Sequence, residues 1–207
     1  MTKITNNDPE HSFIVSLSSR FIEWGNKYLT LSQWFFKKSK NIFVDLEIMM
    51  VIVTTTCLIL LCVIEYLPYW LSIVISILLF QRVLEFFIVY SRNFIFNRGR
   101  IFSAFSNSQN RGEWLITMFG FNVFQIIFIF ALWYRVISKI DPTAFSHPLS
   151  VLNSIYFSFV TFVTVGYGDI YPVSSLAQIV VIFQVALTFF ILVIVVNGLI
   201  SIHFNKN

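Results

Sequence analysis

The sequence predicts an all-α membrane protein with four transmembrane helices per chain and one short helix that enters the bilayer and turns back. Three observations predict it. Of 207 residues, 57% are hydrophobic and only 12% are charged, against about 25% charged in soluble domains. Four apolar runs are each close to the ~20 residues that a helix needs to cross hydrocarbon. A further apolar run, Val151 to Val163, is too short to cross, and Gly166-Tyr167-Gly168-Asp169 follows it closely.

The chain begins with a polar stretch, residues 1–10, that carries Asp8 and Glu10 but no short apolar core. A cleaved signal peptide is therefore not expected. From Phe13 to Phe35 an apolar stripe appears: Phe13, Leu17, Phe21, Trp24, Tyr28, Leu31 and Phe35. Steps of three and four put these residues on one helix face. Arg20, Glu23 and Lys27 sit among them, Lys37, Lys38 and Lys40 follow, and Trp24 and Trp34 suit a headgroup boundary. The reading is an amphipathic helix on an anionic membrane surface. Self-association through the same stripe is the rival.

The first span is expected from about Ile42 to Ile64, with Asp45 and Glu47 near its start and Glu65-Tyr66-Leu67-Pro68 as a tight turn after it. Cys57 and Cys62 lie inside it and read as buried packing residues, with neither a disulfide nor a metal site. The second span is expected from Tyr69 to Tyr90. It carries Gln81, Arg82 and Glu85. Arg82 and Glu85 stand three apart, so they share a face and can pair. An ionisable residue inside a span is a functional candidate by default. A structural pair, or snorkelling to the inner surface, is the plainer reading.

Residues 91–113 read as a cytoplasmic linker with an interfacial portion, a second candidate site for anionic lipid beside the N-terminal segment. Arg92, Arg98, Arg100 and Arg111 alternate there with Phe94, Phe96, Ile101, Phe102 and Phe105. The third span is expected from Trp114 to Val136, with Arg135 and Lys139 at the far interface. Asp141-Pro142 and His147-Pro148 mark a loop. Ser150 is a candidate cap for the short helix. That helix reads as re-entrant, and the irregular backbone after it is tolerable only where protein or water surrounds it. The last span is expected from Leu176 to Ile202, with a short tail after it.

Charge sets the orientation. Lysines precede the first span and arginines precede the third, while the 65–68 turn has neither. The positive-inside rule then puts both termini in the cytoplasm and the re-entrant loop outside. Arg135 and Lys139 weigh weakly against this. The basic residues flank spans and form no single patch, so no nucleic-acid partner is expected.

The stretch Thr161-Phe162-Val163-Thr164-Val165-Gly166-Tyr167-Gly168-Asp169 resembles the selectivity-filter signature of the tetrameric potassium channel family. In that family, backbone carbonyls replace the water around the ion. The resemblance implies that Thr164, Val165, Gly166, Tyr167 and Gly168 form the filter. Potassium would be bound at Thr164 to Tyr167, with Val165 and Tyr167 side chains pointing away into packing. Carbonyls facing one axis require backbone angles open mainly to glycine, which Gly166 and Gly168 supply. The resemblance further implies a homotetramer in a cell membrane, no cofactor beyond the permeant ion, and no catalysis. Only three histidines occur, all outside the spans, and no catalytic or metal-binding set appears.

The resemblance covers Trp114 to Ile202, and residues 1–113 resemble no family. The expected division is a cytoplasmic segment 1–41, a transmembrane hairpin 42–90, a linker 91–113, a pore domain 114–203 and a tail 204–207. In the pore family, a helix at the place of the linker often couples an input to the gate. Three positions depart from the family. Tyr156 stands where a tryptophan often donates to the filter aspartate, here Asp169, so Tyr156, Thr161 and Asp169 are the expected filter support. Val160 replaces a glutamate found in some bacterial members. Thr188 replaces the usual hinge glycine, so the candidate gate comprises Thr188, Asn197 and Gly198. A weakly selective cation channel and a non-conducting modulatory subunit are the alternatives. The intact signature with Tyr167 opposes both.

Overall fold

The computed structural model describes residues 13–28, 42–91 and 111–204. Six α-helices make up the described chain, and no strand occurs among the described residues: α1 Phe13–Tyr28, α2 Ile42–Val63, α3 Tyr69–Tyr90, α4 Arg111–Ile140, α5 Val151–Phe162 and α6 Ser175–Phe204. Four of them, α2, α3, α4 and α6, are long and apolar enough to cross a membrane.

Pro68 supplies the extended residue before α3, as a fixed proline φ allows at a helix start. One 3₁₀ turn, Ile64–Tyr66, ends α2 and tightens the hairpin. The α3 boundaries match the sequence expectation. The third helix does not: α4 begins at Arg111 and runs on to Ile140. Arg135 and Lys139 therefore lie within the helix, which continues because both side chains find partners there. Arg135 pairs with Glu65 and donates to the Leu149 carbonyl. Lys139 Nζ donates to the carbonyls of Ile64 at 2.7 Å, Glu65 at 3.1 Å and Leu67 at 2.5 Å.

The α4 helix is the hub. Of its span, 67% is buried inside the chain, against 22–28% for the other three. It packs against α2, α3, α5 and α6. Its Ile129, Phe130, Leu132 and Tyr134 are fully enclosed. Aromatic edges fill the core beside α5, where the Tyr134 ring meets Phe145 and Phe157 at centroid distances of 5.7 and 4.9 Å. Edge-to-face rings of this kind add to the area they bury.

One expectation on side chains is corrected. Cys57 is buried, but Cys62 is exposed, because it lies on the face of α2 turned away from α4. Within a single chain the stripe on α1 is also exposed: Leu17, Phe21 and Trp24 face outward while Ile22 is buried and the helix packs on α3. The stripe thus stays open, and the neighbouring edge of the helix makes the internal contact. Lys37, Lys38, Lys40, the stripe beyond Tyr28 and residues 92–110 of the expected linker lie outside the described residues.

Candidate functional site

The short helix α5 starts as the sequence implies. Ser150 accepts a hydrogen bond from the Asn153 N–H at 3.1 Å and so satisfies one of the free donors of the first turn. The last carbonyls of the helix have no partner within it. The loop that follows supplies partners. Val163 N–H donates to Phe159, Thr164 N–H to Thr161 and Val165 N–H to Val160, at 3.0, 3.1 and 3.0 Å. The beginning of the loop is thus tied directly to the final turn of α5.

The far end of the loop is fixed as well. Phe145 and Pro172 form an isolated antiparallel bridge. Around it, Ser146 N–H donates to Tyr171 at 3.0 Å, and Val173 N–H donates to Ala144 at 2.8 Å. Ser174 then caps α6 by accepting from the Ala177 N–H at 3.2 Å. The segment 141–149 is organised by Asp141, whose carboxylate accepts from the Thr143 N–H at 2.9 Å and its hydroxyl at 2.6 Å. Those bonds favour the charged form and lower the Asp141 pKa.

Between these anchors the backbone has an unusual pattern. Thr164, Gly166 and Gly168 have φ of 57°, 58° and 80°, while the intervening Val165 and Tyr167 are not in the positive region. The sign of φ therefore alternates residue by residue through the loop. Glycine takes positive φ without cost, but Thr164 is β-branched and is held there against its preference. Thr164 was expected on the loop, and its backbone conformation was not.

The expected supports lie beside this loop. Tyr156 donates a side-chain hydrogen bond to Asp169, and that bond raises the phenol pKa. Ser146 Oγ adds a contact to the Asp169 carbonyl at 3.4 Å. Thr161 sits in the last turn of α5 and accepts from Thr164 through its backbone. Val165 and Tyr167 were expected to pack, yet within one chain they are 50% and 70% exposed. One copy of the loop has too few neighbours to cover them.

Residues 116–205 match the family model described as "Ion channel". The match supports a pore-loop ion-channel family for this segment. No curated protein and no solved structure matches the chain. The matched region of the channel domain covers α5, the loop, α6 and most of α4.

The other candidates lie apart from the loop. Arg82 and Glu85 pair within α3 at 3.1 Å, and Arg82 Nε also donates to Gln125 Oε1 on α4 at 3.3 Å. Thr188, on α6, donates its hydroxyl to the carbonyl of Gln184 at 3.0 Å, a contact that tends to bend helices slightly. Asn197 and Gly198 are helical in α6, but their side-chain environment lies outside the described residues.

Sequence reading overlooked a buried polar group in the channel domain. Gln184, Ser158 and Tyr134 are fully buried and bonded to one another. The signal for it was present, since Gln184 is the one strongly polar side chain in the apolar run from Ile179 to Val196 apart from Thr188.

Proposed function

We propose that the chain is a potassium-selective channel that conducts passively through a filter at Thr164–Gly168 and works as a homotetramer. The observation that carries this reading is the alternating sign of φ from Thr164 to Gly168. In an ordinary extended strand, successive carbonyls point to opposite sides. Reversing φ at every second residue turns alternate peptides round, so that successive carbonyls can address one axis. Rings of such carbonyls replace the hydration shell of a potassium ion without binding it irreversibly. The Thr164-Val165-Gly166-Tyr167-Gly168-Asp169 sequence supports the same reading.

One loop covers only part of an ion's surroundings, so several chains are required. The exposed Val165 and Tyr167, with Leu176, Ile179, Ile182 and Phe189 exposed along α6, offer apolar area for that assembly. Tyr156, Thr161 and Asp169 act as filter supports, and Thr188 with Asn197 and Gly198 is the candidate gate. Potassium is the cargo, and no cofactor is invoked. The termini lie in the cytoplasm and the loop outside, in a cell membrane, by the distribution of Lys and Arg. The Leu17, Phe21 and Trp24 stripe, with Arg20 and Lys27 exposed nearby, faces anionic lipid.

The experiment is flux into liposomes that hold only the purified protein. Potassium should enter, sodium should not, and barium should block by lodging at Thr164. Equal entry of both ions would reject the selectivity. Chemical crosslinking of the same preparation should stop at a tetramer.

A further inference from the structure

A buried polar chain joins three helices just behind the filter. The Tyr134 hydroxyl on α4 donates to Gln184 Oε1 on α6 at 2.5 Å. Gln184 Nε2 donates to the Ser158 carbonyl on α5 at 2.9 Å and to its Oγ at 3.1 Å. Ser158 Oγ in turn donates to the Ile127 carbonyl on α4 at 2.7 Å. The side chains of Tyr134, Ser158 and Gln184 are all wholly enclosed. Both ends of the Gln184 amide are therefore used, and no polar atom of that amide is left bare.

Placement gives this chain its meaning. The Ser158 carbonyl belongs to the last turns of α5. Two residues further on, the Val160 carbonyl receives the Val165 N–H of the filter loop. On the other side, the Gln184 carbonyl receives the Thr188 hydroxyl at the candidate hinge. One residue thus touches both the last turns of α5 and the candidate hinge of α6.

We propose that Gln184 is a positioning residue that fixes the register of α6 against α5 and so transmits movement at Thr188 to the filter. The inference rests on the channel reading and deepens it. Apolar surfaces between these helices can slide with a graded cost. Hydrogen bonds in an enclosed, low-dielectric place are directional and costly to leave unmade. A shift of α6 that displaces Gln184 must either drag the Ser158 turn with it or strand two donors. Since that turn holds Val165, the filter feels the shift.

The alternative is that the chain is only glue between helices, and the test separates the two. The native protein, Tyr134→Phe/Gln184→Leu and Ser158→Ala are reconstituted as full chains. Oligomer stability and single-channel open times are measured for each. The double variant replaces both partners by apolar groups, an exchange that is nearly neutral for stability. It should assemble and unfold like the native protein, yet its mean open time should change about tenfold, the scale of a lost buried link. Ser158→Ala keeps the bond to the Ser158 carbonyl and should retain near-native open times. Native open times in an assembled double variant would overturn the proposal. So would a double variant that fails to assemble, because the chain would then be structural. Selectivity of the native protein is read in the same recordings. A channel that passes sodium as freely as potassium would reject the potassium reading, whereas an altered open time for its current would still support the link.

Discussion

Arg82 on α3 donates its Nε to Gln125 Oε1 on α4 at 3.3 Å while pairing with Glu85 at 3.1 Å. The only basic side chain well inside the first two spans is thus held from two sides. Moving one charge across the whole field is worth about 2.3 kcal/mol per 100 mV. A held and neutralised arginine contributes far less. Open probability in a planar bilayer should therefore depend weakly on voltage. The Arg82→Gln/Glu85→Gln variant, which keeps the site neutral, should leave that slope unchanged. A steep native curve that flattens in the variant would make α3 a sensor.

At the C-terminal end of α4, Lys139 gathers the Ile64, Glu65 and Leu67 carbonyls and lies over the Tyr69 ring at 5.3 Å. These carbonyls belong to the 3₁₀ turn and the residue after it, just past the end of α2, where a cation is favourable. Arg135 reaches Glu65 beside it. Together they clamp the hairpin to the channel domain. Lys139→Met should cost about 1–2 kcal/mol, read as a lower denaturant midpoint in detergent. An unchanged midpoint would mean that the α2–α4 apolar contact alone holds the hairpin.

The Tyr156 phenol donates to Asp169, a bond that would brace the proposed filter loop. The phenol pKa is raised from 10.0. A group raised in the folded state contributes fully below its unfolded pKa and loses that contribution as pH rises through the folded value. The support should therefore persist throughout the neutral range and fail only above about pH 10. Tyr156→Phe should shorten open times at pH 7 and abolish their alkaline sensitivity. Equal open times in both proteins at pH 7 would remove this bond from the filter's support.

Much of this fold is legible in the sequence, for reasons that residues make plain. Pro68 sets the start of α3, Ser150 caps α5, and the filter signature locates the loop after it. The α4 helix ran past its expected end because Arg135 and Lys139 have partners in the hairpin, and single-sequence hydropathy cannot see a partner brought from residues 64–67. Thr164 at positive φ was illegible for a similar reason: its conformation is imposed by the bonds of its own N–H to Thr161 and of the Val165 N–H to Val160, against its own preference. Gln184 was visible as a polar residue in an apolar helix. Its role was not, because its partners Tyr134 and Ser158 are distant in sequence.

The most direct measurement is the reversal potential of the purified, reconstituted protein with potassium on one side and sodium on the other, for the native chain and for Gly166→Ala. Gly166 has φ of 58°, and a Cβ added there meets no atom within 4 Å of its own chain. Any effect inside one chain therefore arises from backbone strain. The native protein should reverse close to the potassium equilibrium potential, and Gly166→Ala should lose its current or its preference for potassium. A native reversal potential near zero, or full selectivity retained in Gly166→Ala, would contradict the assignment of Thr164–Gly168 as a potassium filter.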